Sequence, residues 1–132
     1  MKFILMMNGT KADFDSYAKW PKQDLQASVA FMRTFGKQLR EGGVLVAAEG
    51  LAFADQARIV RAGSHGEPVT DGVFPESKEF LAGYWIVDVE TSEQAYQIAA
   101  RASMAPGPGG VPGRIPIEVR QVLSSAPPEL LS

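Results

Sequence analysis

The 132 residues, 45% hydrophobic and 21% charged, suffice for one domain with a real core. A formal charge of −2 provides no basic footprint, so nucleic acid is not an expected partner, and no basic amphipathic stretch points to a membrane surface. The absence of cysteine removes disulfides, thiolate nucleophiles and zinc-finger sites, and it fits a cytoplasmic location.

In chain order, Met1-Lys2 and the apolar run Phe3 to Met7 faintly imitate a signal peptide. The run is too short for that, and Asn8-Gly9-Thr10-Lys11 follows without a small-residue cleavage pattern. Apolar on both alternating faces, it instead predicts a central strand covered on each side. No stretch approaches the roughly 20 apolar residues of a membrane span. A polar segment with Asp13, Asp15, Ser16 and Lys19 leads to Trp20-Pro21, where proline favours a first helical turn. Leu25, Val29, Met32, Phe35 and Leu39 then fall on one helical face, with Arg33, Lys37 and Arg40 off it, and Gly42-Gly43 ends the helix.

Strands are predicted over 44–51 and 57–61, the second joined by the turn Gly63-Ser64-His65-Gly66 to Glu67-Pro68-Val69-Thr70. Residues 80–89 are again apolar on both faces. Thr91 with Gln94 three residues on carries capping-box chemistry, and Ala95, Ile98, Ala99 and Ala102 form a small-residue helix face. Residues 105–113 are rich in proline and glycine and read as a loop. A strand over 115–122 closes the domain, which is expected to span 1–123, with 124–132 a loose tail.

Strand, helix, several strands, helix, strand is an α+β order: a ferredoxin-like antiparallel sheet with two helices on one face. Two helices leave the second face of a two-sided apolar sheet bare. A second copy of the same sheet is the simplest cover, so a homodimer is expected.

The segment from Thr70 to Val89 is the most informative. Asp71-Gly72 opens a run with Glu76, Lys78 and Glu79 that leads straight into the apolar strand. Such charges beside a buried sheet are costly unless they pair or meet a ligand. Asp71, Gly72, Phe74, Glu76, Ser77, Lys78, Glu79 and Gly83 resemble the signature of the YCII-related (DGPF) family, with Val73 and Pro75 departing from it. The resemblance extends to the first strand, the Trp20 region, Gly42-Gly43 and Ile117-Glu118-Val119-Arg120-Gln121-Val122. It implies a dimeric α/β barrel. Some YCII-like proteins are proposed to act through a His–Asp pair with the histidine in the N-terminal half. This chain has none there, only Asp13, Asp15, Tyr17, Lys19 and Asp24 as polar candidates.

Lys78 can hold an anionic or carbonyl ligand, and Asp71 or Glu79 can serve as a base if burial raises its proton affinity. Asp71, Lys78 and Glu79 are therefore the ligand-binding candidates, with Glu76, Tyr84 and Trp20 secondary and no catalytic residue assigned. The plainer alternative is a turn at Asp71-Gly72 with Lys78 paired to a neighbouring carboxylate. His65, the single histidine, is placed on a turn tip, which offers no rigid shell. Ser64 or Ser77 with His65 and Asp71 lacks a nucleophile elbow. One histidine, no cysteine and no calcium-loop spacing predict no metal, and no cofactor is expected. Gly107-Pro108-Gly109-Gly110 lacks the lysine of a phosphate loop.

Two functions stay open. One is a ligand-binding or accessory module; the resemblance carries an association with sigma-factor genes, and the acidic charge argues against direct DNA contact. The other is a small cofactor-free enzyme of the isomerase, lyase or dehydrochlorinase type, acting between sheet and helices.

Overall fold

A computed structural model describes residues 1–71 and 79–123. Strand β1 (Lys2–Gly9) pairs antiparallel with β5 (Phe80–Asp88) on one side and β6 (Ile117–Gln121) on the other. Strand β2 (Leu45–Gly50) joins the far edge of β5, so the sheet order is β2-β5-β1-β6. The two strands with apolar residues on both faces are thus the two central ones. A hairpin of β3 (Ile59–Ala62) and β4 (Pro68–Asp71) forms a separate two-stranded sheet whose residues are all exposed.

Among the described residues three α-helices accompany the sheet: α1 (Lys11–Ala18), α2 (Lys22–Glu41) and α3 (Ser92–Ser103). The expectation of two helices needs correction, because the polar segment before Trp20 is helical. Thr10 caps α1: its hydroxyl accepts from the Asp13 amide at 3.2 Å, and its own amide donates to Asp13 Oδ2 at 2.8 Å. A Lys11–Asp15 pair at 3.0 Å supports the helix one turn on. With only two turns and no buried residue, α1 shows no apolar stripe to reveal it. The predicted Thr91 box does form: the Thr91 hydroxyl accepts from the Gln94 amide, and Gln94 Oε1 accepts from the amides of Thr91 and Glu90.

The core lies between the sheet and the α2–α3 layer. Phe3, Leu5, Trp85 and Val87 face the helices, with Leu5 opposite Trp85 and Phe3 opposite Val87 across the β1–β5 ladder. Phe35 of α2 stands edge-on to Trp85, centroids 5.6 Å apart, and Leu39 packs beside it. The alanines of α3, with Ile98, keep that helix close to the sheet. Removing a side chain as enclosed as Leu5 typically costs 2–5 kcal/mol.

Ile4, Met6, Tyr84 and Ile86 lie on the opposite face, as Ile4–Ile86 and Met6–Tyr84 pairs, and are half-buried. None of them belongs to the core cluster. Glu49, paired with Tyr84, and Glu118 and Arg120, paired with Met6 and Ile4, share that face toward the sheet edges.

Two glycines set the geometry. Gly43 takes φ +74° just after α2. The Gly43 amide donates to the Arg40 carbonyl and the Val44 amide to that of Leu39, which closes the helix and turns the chain into β2. In β5, a Cβ on Gly83 would stand 3.0 Å from the Glu49 carbonyl oxygen, so the glycine lets β2 approach.

The direction of travel fixes what meets at each end of the sheet. Leu45, at the start of β2, lies opposite Val87, so α2 ends near the Phe3 end. The start of α2, the end of α3 and the 105–113 loop therefore gather at the other end, with Gly9, Phe80 and Ile117.

Because no atom lies within 4 Å of a Cβ built on Gly43, Gly43→Ala should cost only the strain of positive φ, about 1 kcal/mol. Urea denaturation should show a lower midpoint with an unchanged slope.

Candidate functional site

The candidates among the described residues are dispersed. Asp71 ends β4 on the outlying hairpin, where its Oδ2 accepts from Arg61 Nη2 at 2.9 Å with both side chains largely exposed. Glu79 is exposed and sits immediately before β5, whose first residue Phe80 pairs with Gly9. Tyr84 lies mid-strand on the open sheet face. Trp20 is half-buried between α1 and α2 and meets the Tyr17 ring at a tilt of 58°, centroids 5.0 Å apart. Lys78 and Glu76 fall outside the described residues. His65 occupies the exposed hairpin turn, its Nδ1 3.1 Å from the Ser64 hydroxyl.

The more telling arrangement is on α2. The periodicity placed Leu25 and Val29 on the core face, but Val29 is 48% exposed and Leu25 only half-buried. The buried residues of α2 are Asp24, Ser28, Phe35 and Leu39, a stripe at the same 100° spacing that keeps Phe35 and Leu39 and is rotated by roughly 50° from the predicted one. The helix turns its apolar Val29 outward and two polar side chains inward. Asp24 is 8% and Ser28 9% exposed.

Burial of a carboxylate is costly without a partner. Among the described residues, no hydrogen bond or ion pair reaches the side chain of Asp24 or Ser28. Among the described residues no fully enclosed side-chain polar atom lacks a partner, so the unbonded oxygens of Asp24 and Ser28 keep some contact with solvent. A capping box does not account for Asp24. It occupies the third position of α2, as Asp13 and Gln94 do in α1 and α3, yet the residue before the helix is Pro21. Proline has no N–H to donate back. The helix dipole favours an acid in the first turn, but that effect does not require burial.

Two segments meet at the start of α2. The loop after α3 packs on α2, and a Cβ on buried Gly107 would lie 3.9 Å from the Trp20 ring. The Gly107 amide donates to the Val111 carbonyl at 2.7 Å, and Pro106 bridges Pro112, which ties the loop into a compact flap. The Ser103 hydroxyl holds the Ile115 carbonyl at 2.8 Å. Arg114, next to Gly113, adopts φ 52°, uncommon for a residue with a side chain.

Among the described residues, shallow hollows lie elsewhere, two of which have defined linings. One, of about 380 Å³, is lined by Met1, Lys2, Asp88 and the end of β6. The other, of about 280 Å³, lies between Phe31, Phe35, Gln38 and Arg101. The Arg101 guanidinium lies 5.2 Å from the Phe35 ring and donates to Gln38 Oε1, linking α2 to α3, so this groove reads as part of the helix contact. Among the described residues no group of three or more His, Asp or Glu stands close enough to hold a metal. No helix among them is long and apolar enough to cross a membrane.

A clue to the Asp24–Ser28 pair is present in the sequence. Both continue the i, i+4, i+7 rhythm of Phe35 and Leu39 toward the N-terminus, but polar residues are not counted as core by a hydrophobic pattern.

Since Arg61 and Asp71 form an exposed pair, Arg61→Ala should change unfolding free energy by no more than about 1 kcal/mol. A larger loss on denaturant unfolding would show that the hairpin depends on it.

The model of the YCII-related domain matches residues 1–111, while no curated protein matches the chain. The match takes in the sheet's first three strands, the hairpin, all three helices and the flap to Val111. This chain belongs to the YCII-related domain family.

Proposed function

We propose that this protein binds a small molecule at the end of the sheet where α2 begins, the flap folds over and the signature leads into β5. It acts as a ligand-binding or accessory module without direct DNA contact. The observation that carries this reading is the Asp24–Ser28 pair, buried on the core face without a partner. A fold has little reason to keep two such groups inward and Val29 outward unless something meets them. Lys78, Glu79 and Asp71 remain the proposed polar members on the signature side, for an anionic or carbonyl group. The acidic charge speaks against phosphate-backbone contacts, and the absence of cysteine accords with a cytosolic protein.

The assembly belongs to the same proposal. The strand order, with a β-α-β-β-α-β path once α1 and the hairpin are set aside, is that of a ferredoxin-like sheet. Ile4, Met6, Tyr84 and Ile86 supply an apolar centre on the open face, and Glu49, Glu118, Arg120 and Lys2 give both charge signs around it. Such a face suits a second copy of itself, in a two-sheet barrel.

The alternative is a cofactor-free isomerase, lyase or dehydrochlorinase. What favours it is Asp24 again: a carboxylate without a partner among the described residues, its oxygens not fully enclosed, is a candidate general base.

Light scattering after size exclusion should give about twice the chain mass at micromolar concentration, whereas a stable monomer removes the barrel. In a thermal-shift screen of small anionic and carbonyl compounds, Lys78→Met should abolish the shifts while changing the melting temperature little. Loss of stability with shifts intact would make Lys78 structural.

A further inference from the structure

We infer that Asp24 and Ser28 anchor an ammonium group of the ligand, making the compound bound here an amine. This rests on the ligand-binding reading above and adds the chemical class of the group received on the helix side.

The first argument is charge. The described ion pairs, Met1–Asp88, Lys11–Asp15, Lys37–Glu41 and Arg61–Asp71, all involve substantially exposed groups. Asp24, the buried acid, has none. A cation that enters with the ligand both neutralises the carboxylate and hydrogen-bonds to it, and charge-assisted bonds are roughly twice as strong as neutral ones. A ligand carboxylate at the same place would meet like charge.

The second argument is geometry. Residues one turn apart present their Cβ atoms about 5–6 Å from each other on one helix face. An ammonium carries three donors and no acceptor, so one nitrogen can donate to the Asp24 carboxylate and to the Ser28 hydroxyl oxygen together. A ligand hydroxyl can donate to Asp24 and accept from Ser28, but it brings no charge to neutralise the carboxylate. A metal ion is the poorer fit, since no third acidic or imidazole ligand stands with Asp24 among the described residues.

The third argument concerns what the chain has given up. Pro21 deprives Asp24 of the capping-box bond that Asp13 and Gln94 make in the other two helices. Its oxygens are left without a bond near the start of α2, the helix on which the flap packs.

The test uses matched probes: ethylamine, cyclohexylamine and 2-phenylethylamine, each beside its alcohol and, for the last, beside phenylacetate. Backbone amide shifts of the full chain are followed by NMR during titration. The amines should move the amides of residues 22–28 and bind at least tenfold tighter than their alcohols. Asp24→Asn should bring amine affinity down to that of the alcohol, and Ser28→Ala should weaken it several-fold, with far-UV circular dichroism confirming that both variants fold. Equal binding of amine and alcohol, amine binding that survives Asp24→Asn, or no amine binding at all overturns the inference. If phenylacetate binds instead and Lys78→Met abolishes it, the ligand-binding reading stands and the ammonium anchor falls. If neither class binds, both fall together.

Discussion

The contact on which the molecule depends is the meeting of β1 and β5 beneath α2. Leu5 opposite Trp85 and Phe3 opposite Val87 form one apolar surface across the central ladder, and Phe35 lands edge-on against the Trp85 ring. That contact sets the rotation of α2 about its own axis. With Phe35 and Leu39 turned to the sheet, the 100° step leaves no freedom two turns earlier: Asp24 and Ser28 must face inward and Val29 outward. The polar pair is therefore held by the best-packed part of the structure. A group positioned by a rigid helix on a packed sheet is better suited to hold a ligand than one on a loop.

The same sheet has two unlike faces. The face under α2 and α3 is closed by Phe35, Leu39 and the small residues of α3. The other presents Ile4, Met6, Tyr84 and Ile86, half-buried, between charged edges. The exposed hairpin, with Ile59, Val60 and Val69 at 40–57% exposure, adds further apolar surface. Isolated apolar residues at a surface need no explanation, but a contiguous set on one sheet face does. The family's glycine after the signature has a physical reason in this chain as well, because the Glu49 carbonyl of β2 occupies the space that a side chain on Gly83 would need.

Much of the fold was legible in the residues. Two-sided apolar runs identified the central strands, Thr91 with Gln94 marked the start of α3, and Gly42-Gly43 marked the end of α2. What escaped did so for physical reasons. The two-turn α1 buries nothing and is held by local hydrogen bonds of Thr10 and Asp13, which leave no periodic apolar signal. The rotation of α2 is not legible in its periodicity, because Leu25 and Val29 fit a stripe as well as Asp24 and Ser28 do, and a pattern built on hydrophobicity selects the former. Only the tertiary contact with Trp85 decides between them. For the candidate site, the signature drew attention to Asp71, whose exposed pairing with Arg61 ten residues away is invisible without the hairpin register.

The central claim is that Asp24 is kept inward for a ligand and not for the fold. Its most direct test is the unfolding free energy of Asp24→Leu, measured by denaturant titration without ligand. Replacing an unpartnered buried carboxylate by an apolar side chain of similar size should leave stability unchanged or raise it by about 1–2 kcal/mol, even after losing the helix-dipole contribution. A loss of more than about 2 kcal/mol would mean that Asp24 has a structural partner in the folded protein, and would contradict the account.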